Sequence, residues 1–264
     1  MDQVNYRDNY LDLLRQTLTF QFWKEPPFPI ADCSGLTWKS NLARKIARFF
    51  RRFGVDLCLN KSVIGPDAYL FPVLAHTMVS NARLCNIQAA CETVDREGVA
   101  GDAVETGVWR GGASIFMRAC LDKKRKVFVC DSFEGLPFDP SEPEYVKIDF
   151  LKVGLAEVKR NFEQFGQTEN VEFVKGWFQD TLHLLPAKQF SIIRLDGDMY
   201  SSTMTALEAL YSKLSVGGFC IIDDYHLTNC CKAVTEFRNK HHIEDAIVKI
   251  DEAAVCWRKT SGGK

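Results

Sequence analysis

Two acidic clusters close apolar runs of this 264-residue sequence: FSIIRLD (190–196) leads into Asp196-Gly197-Asp198, and GFCIIDDY (218–225) contains Asp223-Asp224. Short apolar runs rich in β-branched residues read as buried strands. If the two strands are neighbours in a parallel sheet, their carboxyl ends open onto one crevice and the four aspartates share a rim. Carboxylates gathered in that way repel one another and titrate high unless a cation neutralises them. An all-oxygen ligand set selects a hard ion, Mg²⁺ first and then Mn²⁺. An ion of that kind acidifies a sugar or catechol hydroxyl and holds its oxygen in line with an electrophilic carbon. The competing reading is structural, with Asp223 and Asp224 capping a following helix and Asp198 sitting in a turn. Two clusters converging on one rim favour the ion.

The electrophile has its own signals. DAVETGV (102–108) runs into Glu105-Thr106-Gly107-Val108-Trp109-Arg110-Gly111-Gly112, and a helical pattern follows. A glycine-rich turn between a first strand and a first helix is where doubly wound sheets bind nucleotide-like ligands. The glycines admit the ligand close to the backbone, and the helix N-terminus favours an anionic group. The pattern is E-x-G-x-x-x-G rather than G-x-G-x-x-G, which suits a ligand without a pyrophosphate. S-adenosylmethionine fits, with its carboxylate near the amides of the turn. Asp131 ends the second strand, KVFVCDSF (126–133), where a carboxylate can accept both ribose hydroxyls. The third strand, VEFVKGWF (171–178), ends in Trp177 and Phe178, with Gln179 next. The aromatic rings can flank an adenine and the amide can meet its edge.

These residues require a scaffold that brings five strand ends to one side. The five runs above alternate with helical stretches at 112–122, 151–165 and 202–214, and AIVKI (246–250) and AVCWRK (254–259) add a closing pair. The expectation is an α/β fold with a doubly wound, seven-stranded, mostly parallel sheet over residues 98–264. Residues 1–97 read as a helical extension, with helical patterns at 8–25, 37–53 and 67–97 and Pro26, Pro27 and Pro29 ending the first. The second pattern is basic through Lys39, Arg44, Lys45, Arg48, Arg51 and Arg52, either a solvated face or a surface for an anionic acceptor or acidic partner. The loop 133–150, rich in proline and charge, reads as a mobile lid.

Composition narrows the function classes. A net charge of −1 gives no general pull towards nucleic acid. Ten cysteines at irregular spacings, without a C-x-x-C pair, read as reduced core thiols of a cytoplasmic protein. The charged N-terminus lacks a signal peptide's apolar run, and no apolar stretch is long enough to span a membrane. A nicotinamide oxidoreductase is disfavoured by the missing G-x-G-x-x-G and the missing Tyr-x-x-x-Lys.

With these motifs in place, the chain resembles the macrocin O-methyltransferase family. The resemblance is carried by HTMVSNARLCNIQAACETV (76–94), GDAVETGVWRGGASIFMRA (101–119), DSFEGLP (131–137), GWFQDTL (176–182), RLDGDMYSSTMTALEALYSKLSVGG (194–218) and IIDDY (221–225). It implies the Rossmann-like class I methyltransferase fold, S-adenosylmethionine and Mg²⁺ as cofactors, and a sugar hydroxyl of a glycosylated natural product as small-molecule acceptor. A phenol or catechol hydroxyl is the alternative, and a homo-oligomer is expected. It further implies that Asp196, Asp223 and Asp224 hold the metal and that Asp196 or Asp198 takes the hydroxyl proton. The implied cofactor wall comprises Glu105, Thr106, Gly107, Trp109, Gly111 and Ser114, then Asp131 and Ser132, then Trp177, Phe178 and Gln179, with Asp196. The segment from His76 to Ser80, with Met78, is the part expected to close over the cofactor. Ser201 stands where the family usually has an acidic residue.

Overall fold

The computed structural model describes residues 5–22, 28–32, 38–59, 72, 74–143, 145 and 149–260. Its centre is a seven-stranded sheet made of β3 (Asp102–Thr106), β4 (Val127–Asp131), β5 (Val171–Lys175), β6 (Phe190–Leu195), β7 (Leu214–Ile222), β8 (Val248–Lys249) and β9 (Val255–Arg258). The strand order is β5-β4-β3-β6-β7-β9-β8. The first five run parallel, whereas β9 pairs antiparallel with both β7 and β8. The chain moves outward from β3 in one direction through β4 and β5, then returns to β6 on the other side. The switch in strand order therefore falls between β3 and β6, where a doubly wound sheet opens a ligand crevice.

Alternation along the strands builds two apolar layers. Ala103, Val127, Val129, Ile192 and Ile221 face one way, with α1 (Tyr6–Leu18), α3 (Asn81–Arg96), α4 (Gly112–Cys120) and α5 (Leu155–Gln164) packed over them. Val104, Phe128, Cys130, Ile193, Cys220 and Trp257 face the other way, under α7 (Tyr200–Leu210) and α8 (Thr228–Lys240). Both faces are covered, which is why these strands read as continuous apolar runs rather than as polar–apolar alternation. The N-terminal helix shares the first layer through Leu11, Leu14 and Leu18, all buried.

Several boundaries differ from the sequence reading. The first helix ends at Leu18, short of the prolines, and Phe20 adopts a left-handed backbone at φ 59°. Thr17 and Thr19 turn their hydroxyls back onto the carbonyls of Leu13 and Arg15 at 2.7 and 2.9 Å, an alternative to ladder bonding that loosens the last turn. Within the expected 67–97 helix, α3 begins only at Asn81, capped by the Ser80 hydroxyl, and residues 74–80 are non-helical. Residues 67–71, like Pro26 and Pro27, lie outside the described set. Helix α8 is given no bounds by the sequence, which offers a helix there only in the capping alternative. Its inner stripe is Cys230, Ala233, Val234 and Phe237, and two of those four are too small to give a strong apolar period. The basic pattern forms α2 (Trp38–Arg51), which packs against the 3-10 turn Ile30–Asp32, and β1 (Phe28–Pro29) pairs antiparallel with β2 (Cys58–Leu59). Every described cysteine is free, and six of them are buried. Among the described residues, no helix is long and apolar enough to cross a membrane.

Candidate functional site

The glycine turn after β3 owes its shape to crowding. Gly107 has φ 80°, and a Cβ there would stand 1.7 Å from the Asp196 carbonyl oxygen, so only glycine lets β3 leave the sheet this close to the end of β6. Its amide donates to the Cys130 carbonyl at 2.9 Å. A second close approach follows at Gly112, whose amide donates to the His76 carbonyl at 2.9 Å, where a side chain would collide. That contact draws the 74–80 segment against the start of α4.

A cleft of about 380 Å³ lies over the carboxyl ends of β3 to β6. Gly107, Asp131, Ser132, Trp177, Phe178, Gln179 and Asp196 line it, joined by Gly135, Leu136 and Pro137 from the loop after β4 and by Gly197 and Ser202. The three signals read separately from the sequence thus meet in one cavity. Asp131 is also tied to backbone. One carboxylate oxygen accepts the Val108 amide at 2.8 Å and the other accepts the Phe133 amide at 2.7 Å. Burial raises its pKa, and these amides oppose the rise. The Ser132 hydroxyl, 3.4 Å from the same carboxylate, and the Trp109 amide also lie against it. Ser132 donates to the Gly135 carbonyl at 2.7 Å and shapes the same loop.

Other members of the expected wall stand behind the cleft. Glu105 is buried beneath the turn, between the Ser114 hydroxyl and the Arg194 guanidinium. Thr106 is fully buried, and its hydroxyl oxygen has no partner among the described residues. Trp109, at φ 48°, donates its indole N–H to the Phe150 carbonyl at 3.1 Å, with the Arg110 guanidinium 4.3 Å from its ring centre. Gly111 is the N-cap of α4. Met78 is 40 % exposed, on the segment that His76 anchors.

The acidic rim lies at the ends of β6 and β7. Asp196, Asp223 and Asp224 each offer one oxygen, and these three atoms lie within 4.8 Å of one another. The capping alternative does not hold for α8, whose N-cap is Leu227, but Asp198 does occupy a turn, at φ 56°. The Asp198 amide donates to Asp224 at 3.1 Å, which binds the two clusters together.

Arginines that the sequence reading passed over organise this rim. Arg194, with its side chain 1 % exposed, donates to Glu105, to Asp196 at 2.9 Å and to Asp223. Burial opposes its charge, but Asp223, Glu105 and Asp196 outweigh that and hold its pKa well above the usual value. Arg83, from the first turn of α3, donates to the other oxygen of Asp223 and to Asp251 at 2.9 Å. Asp251 also accepts the Ser80 hydroxyl at 2.6 Å. The signal for Arg194 was visible, since a lone cation inside FSIIRLD has no place in a buried strand without acidic partners. Nothing local marks Arg83, whose partners are 140 and 168 residues away.

Two guanidiniums do not balance Glu105, Asp196, Asp198, Asp223 and Asp224. Burial, together with Asp223, pushes Asp196 up to about 6. Burial, together with Asp196 and Asp223, pushes Asp198 up to about 7. Burial and its acidic neighbours drive Asp224 well above the carboxylate range. Glu105 reaches about 7 through burial, against the pull of Arg194. An excess of buried acid with an all-oxygen donor set fits a hard divalent ion.

Comparison with known proteins places these features in context. The macrocin O-methyltransferase family model matches residues 7–259. The chain is 41 % identical, over 97 % of its length and 94 % of the relative's, to the 8-demethyl-8-(2,3-dimethoxy-alpha-L-rhamnosyl)-tetracenomycin-C 4'-O-methyltransferase of Streptomyces olivaceus. It is 43 % identical to the mycinamicin III 3''-O-methyltransferase of Micromonospora griseorubida, covering 72 % of this chain and 81 % of that one. Among solved structures, the O-methyltransferase NovP superposes with a TM-score of 0.78 at 35 % identity, covering 97 % of this chain and all of that one.

Proposed function

Because the chain belongs to the macrocin O-methyltransferase family and is an O-methyltransferase, we propose that it moves the methyl group of S-adenosylmethionine to a sugar hydroxyl of a glycosylated natural product, with a divalent ion held by Asp196, Asp223 and Asp224. The observation that carries this reading is the shared position of Asp196. It lines the cleft and belongs to the acidic rim, so donor and acceptor sites meet at one residue. The sugar acceptor is supported by the rhamnosyl group in the name of the Streptomyces relative.

In the reaction the acceptor oxygen attacks the methyl carbon, the carbon–sulfur bond breaks, S-adenosylhomocysteine leaves, and the hydroxyl proton passes to a base. The chain's residues divide this work. Trp177 and Phe178 flank the adenine and exclude water from it, Gln179 meets its edge, and Asp131 accepts the ribose hydroxyls. The glycine turn after β3 receives the amino-acid moiety, whose carboxylate is favoured by the dipole of α4. Asp198, facing the rim from its left-handed turn, takes the proton. A divalent ion, when bound, supplies charge neutralisation and acidifies the hydroxyl. Alignment of oxygen and methyl carbon within the cleft supplies much of the remaining rate.

The test uses purified protein, S-adenosylmethionine and a panel of deoxyhexosyl glycosides and catechols, with methyl transfer read by mass shift. Transfer to glycosides, abolished by EDTA and restored by Mg²⁺, is expected. Asp224→Ala should keep S-adenosylhomocysteine binding by calorimetry and lose turnover. Full activity of that variant in EDTA would refute the metal assignment. Transfer to catechols alone would refute the sugar acceptor.

A further inference from the structure

The loop after β4 makes a contact that the reaction as described does not use. Glu142 is only 3 % exposed, although it lies in a stretch dominated by proline and acid. Its carboxylate accepts the Tyr200 amide on both oxygens, at 3.1 and 3.0 Å, and the Asn229 side-chain amide at 2.8 Å. Tyr200 is the first residue of α7, and Asn229 lies in the first turn of α8.

Both helices begin without a cap of their own. The N-caps are Met199 and Leu227, and neither makes a side-chain cap hydrogen bond. The leading N–H groups of a helix need acceptors, and a carboxylate satisfies them while opposing the helix dipole. Here the carboxylate arrives from 58 residues upstream. Glu142 thus caps α7 through a backbone amide and holds α8 through a side chain, and each of these helices begins just after an aspartate of the rim. Tyr200 follows the Gly197-Asp198-Met199 turn, where Asp198 is held at φ 56°, and α8 follows Asp223-Asp224. At its other end the same loop places Gly135, Leu136 and Pro137 in the wall of the cleft. Asp139, between them, lies close to Ser201 on α7.

We propose that Glu142 is a positioning residue that ties the 133–143 loop to the first turns of α7 and α8, so that the cofactor cleft and the Asp198 turn are fixed as one unit. A covered cleft and a correctly placed Asp198 then arise together, because one carboxylate serves both. The proposal rests on the reading of the cleft as the S-adenosylmethionine site.

The probe is S-adenosylhomocysteine, with its association and release followed by stopped-flow tryptophan fluorescence, alongside amide hydrogen exchange over 196–205 and 228–232. In Glu142→Ala, release should accelerate at least about tenfold and association should stay within about threefold, with faster exchange in both segments. Glu142→Gln keeps one acceptor oxygen without the charge and should recover part of the loss. Asn229→Ala should show a smaller effect, and adding it to Glu142→Ala should change nothing further, since Asn229 acts through Glu142. Release from Glu142→Ala within twofold of the parent would overturn the proposal, as would a lower Tm with release and exchange unmoved. If Glu142→Ala fails to fold, parent-like release and exchange in both Glu142→Gln and Asn229→Ala overturn it. A parent protein that does not bind S-adenosylhomocysteine would instead refute the assignment of the cleft, and exchange in the unliganded protein would still decide the role of Glu142.

Discussion

Replacing Arg194 by methionine, of similar length and without charge, tests the electrostatic account of the rim directly. The guanidinium is buried to 1 % exposure and serves Glu105, Asp196 and Asp223 at once. Removing one partner of a buried pair leaves uncompensated charge and costs about 3–5 kcal/mol. The three pairs do not add, because the orphaned carboxylates can take up protons and relieve part of the cost. An expected loss of about 4 kcal/mol is a large fraction of the roughly 5–15 kcal/mol that holds a domain folded. With a urea m-value of about 3 kcal/mol/M for a domain of this size, the midpoint should fall by about 1.3 M. Urea titrations in EDTA, followed by circular dichroism, measure the shift. Adding Glu105→Gln to Arg194→Met should recover about 1 kcal/mol or more, because the deepest of the orphaned carboxylates is then neutral. A midpoint shift below about 0.3 M would refute the reasoning, since Arg194 would then not be what compensates the buried acid.

Two further perturbations separate the remaining roles. Asp131→Asn should weaken S-adenosylhomocysteine at least about tenfold by calorimetry and also lower stability by about 1–3 kcal/mol, because the Val108 and Phe133 amides depend on the same carboxylate; loss of affinity at unchanged stability would show that those two bonds carry little. Burial works against the charge of Asp251, but the Ser80 hydroxyl, the Ala253 and Ala254 amides and Arg83 outweigh it and lower the pKa to about 2. A depressed carboxylate stabilises the fold fully above its unfolded value near 4, and that contribution is lost as the pH falls from about 4 through about 2. Asp251→Asn should therefore flatten the acid limb of a Tm-against-pH curve in that window, and an unchanged limb would discount the Ser80–Asp251–Arg83 link.

The strands and the glycine turn were legible in the sequence because their signals are local. Apolar runs ending in Asp131, Trp177, Asp196 and Asp223 mark both an element and the end that carries a candidate site residue, and all four ends meet at the same edge of the sheet. Glu105 shows the limit of that reasoning. It stands in the right motif, yet it turns under the sheet to Arg194 rather than towards the cleft, since a strand alternates its faces and the motif does not say which face is open. Arg83, Asp251 and Glu142 were illegible for a different reason. Each works through a partner far away in the chain, and single-sequence patterns carry no information on which distant residues meet. Helix α8 had no legible bounds because Cys230 and Ala233 give its buried stripe too little apolar character.

The order of strands at one edge of the sheet bears on how the chain is made. β9, the last to be synthesised, lies between β7 and β8, so the hairpin strand made before it has no place to pair until residues 255–258 arrive. A chain that lacks β9 exposes residues 219–222 of β7 as a bare apolar edge, the kind of template that recruits other chains. Asp251 sits in the same late hairpin, so Arg83 lacks this counter-charge until then as well. A nonsense codon between residues 250 and 254 would thus remove β9 and leave an aggregation-prone product rather than a shortened enzyme.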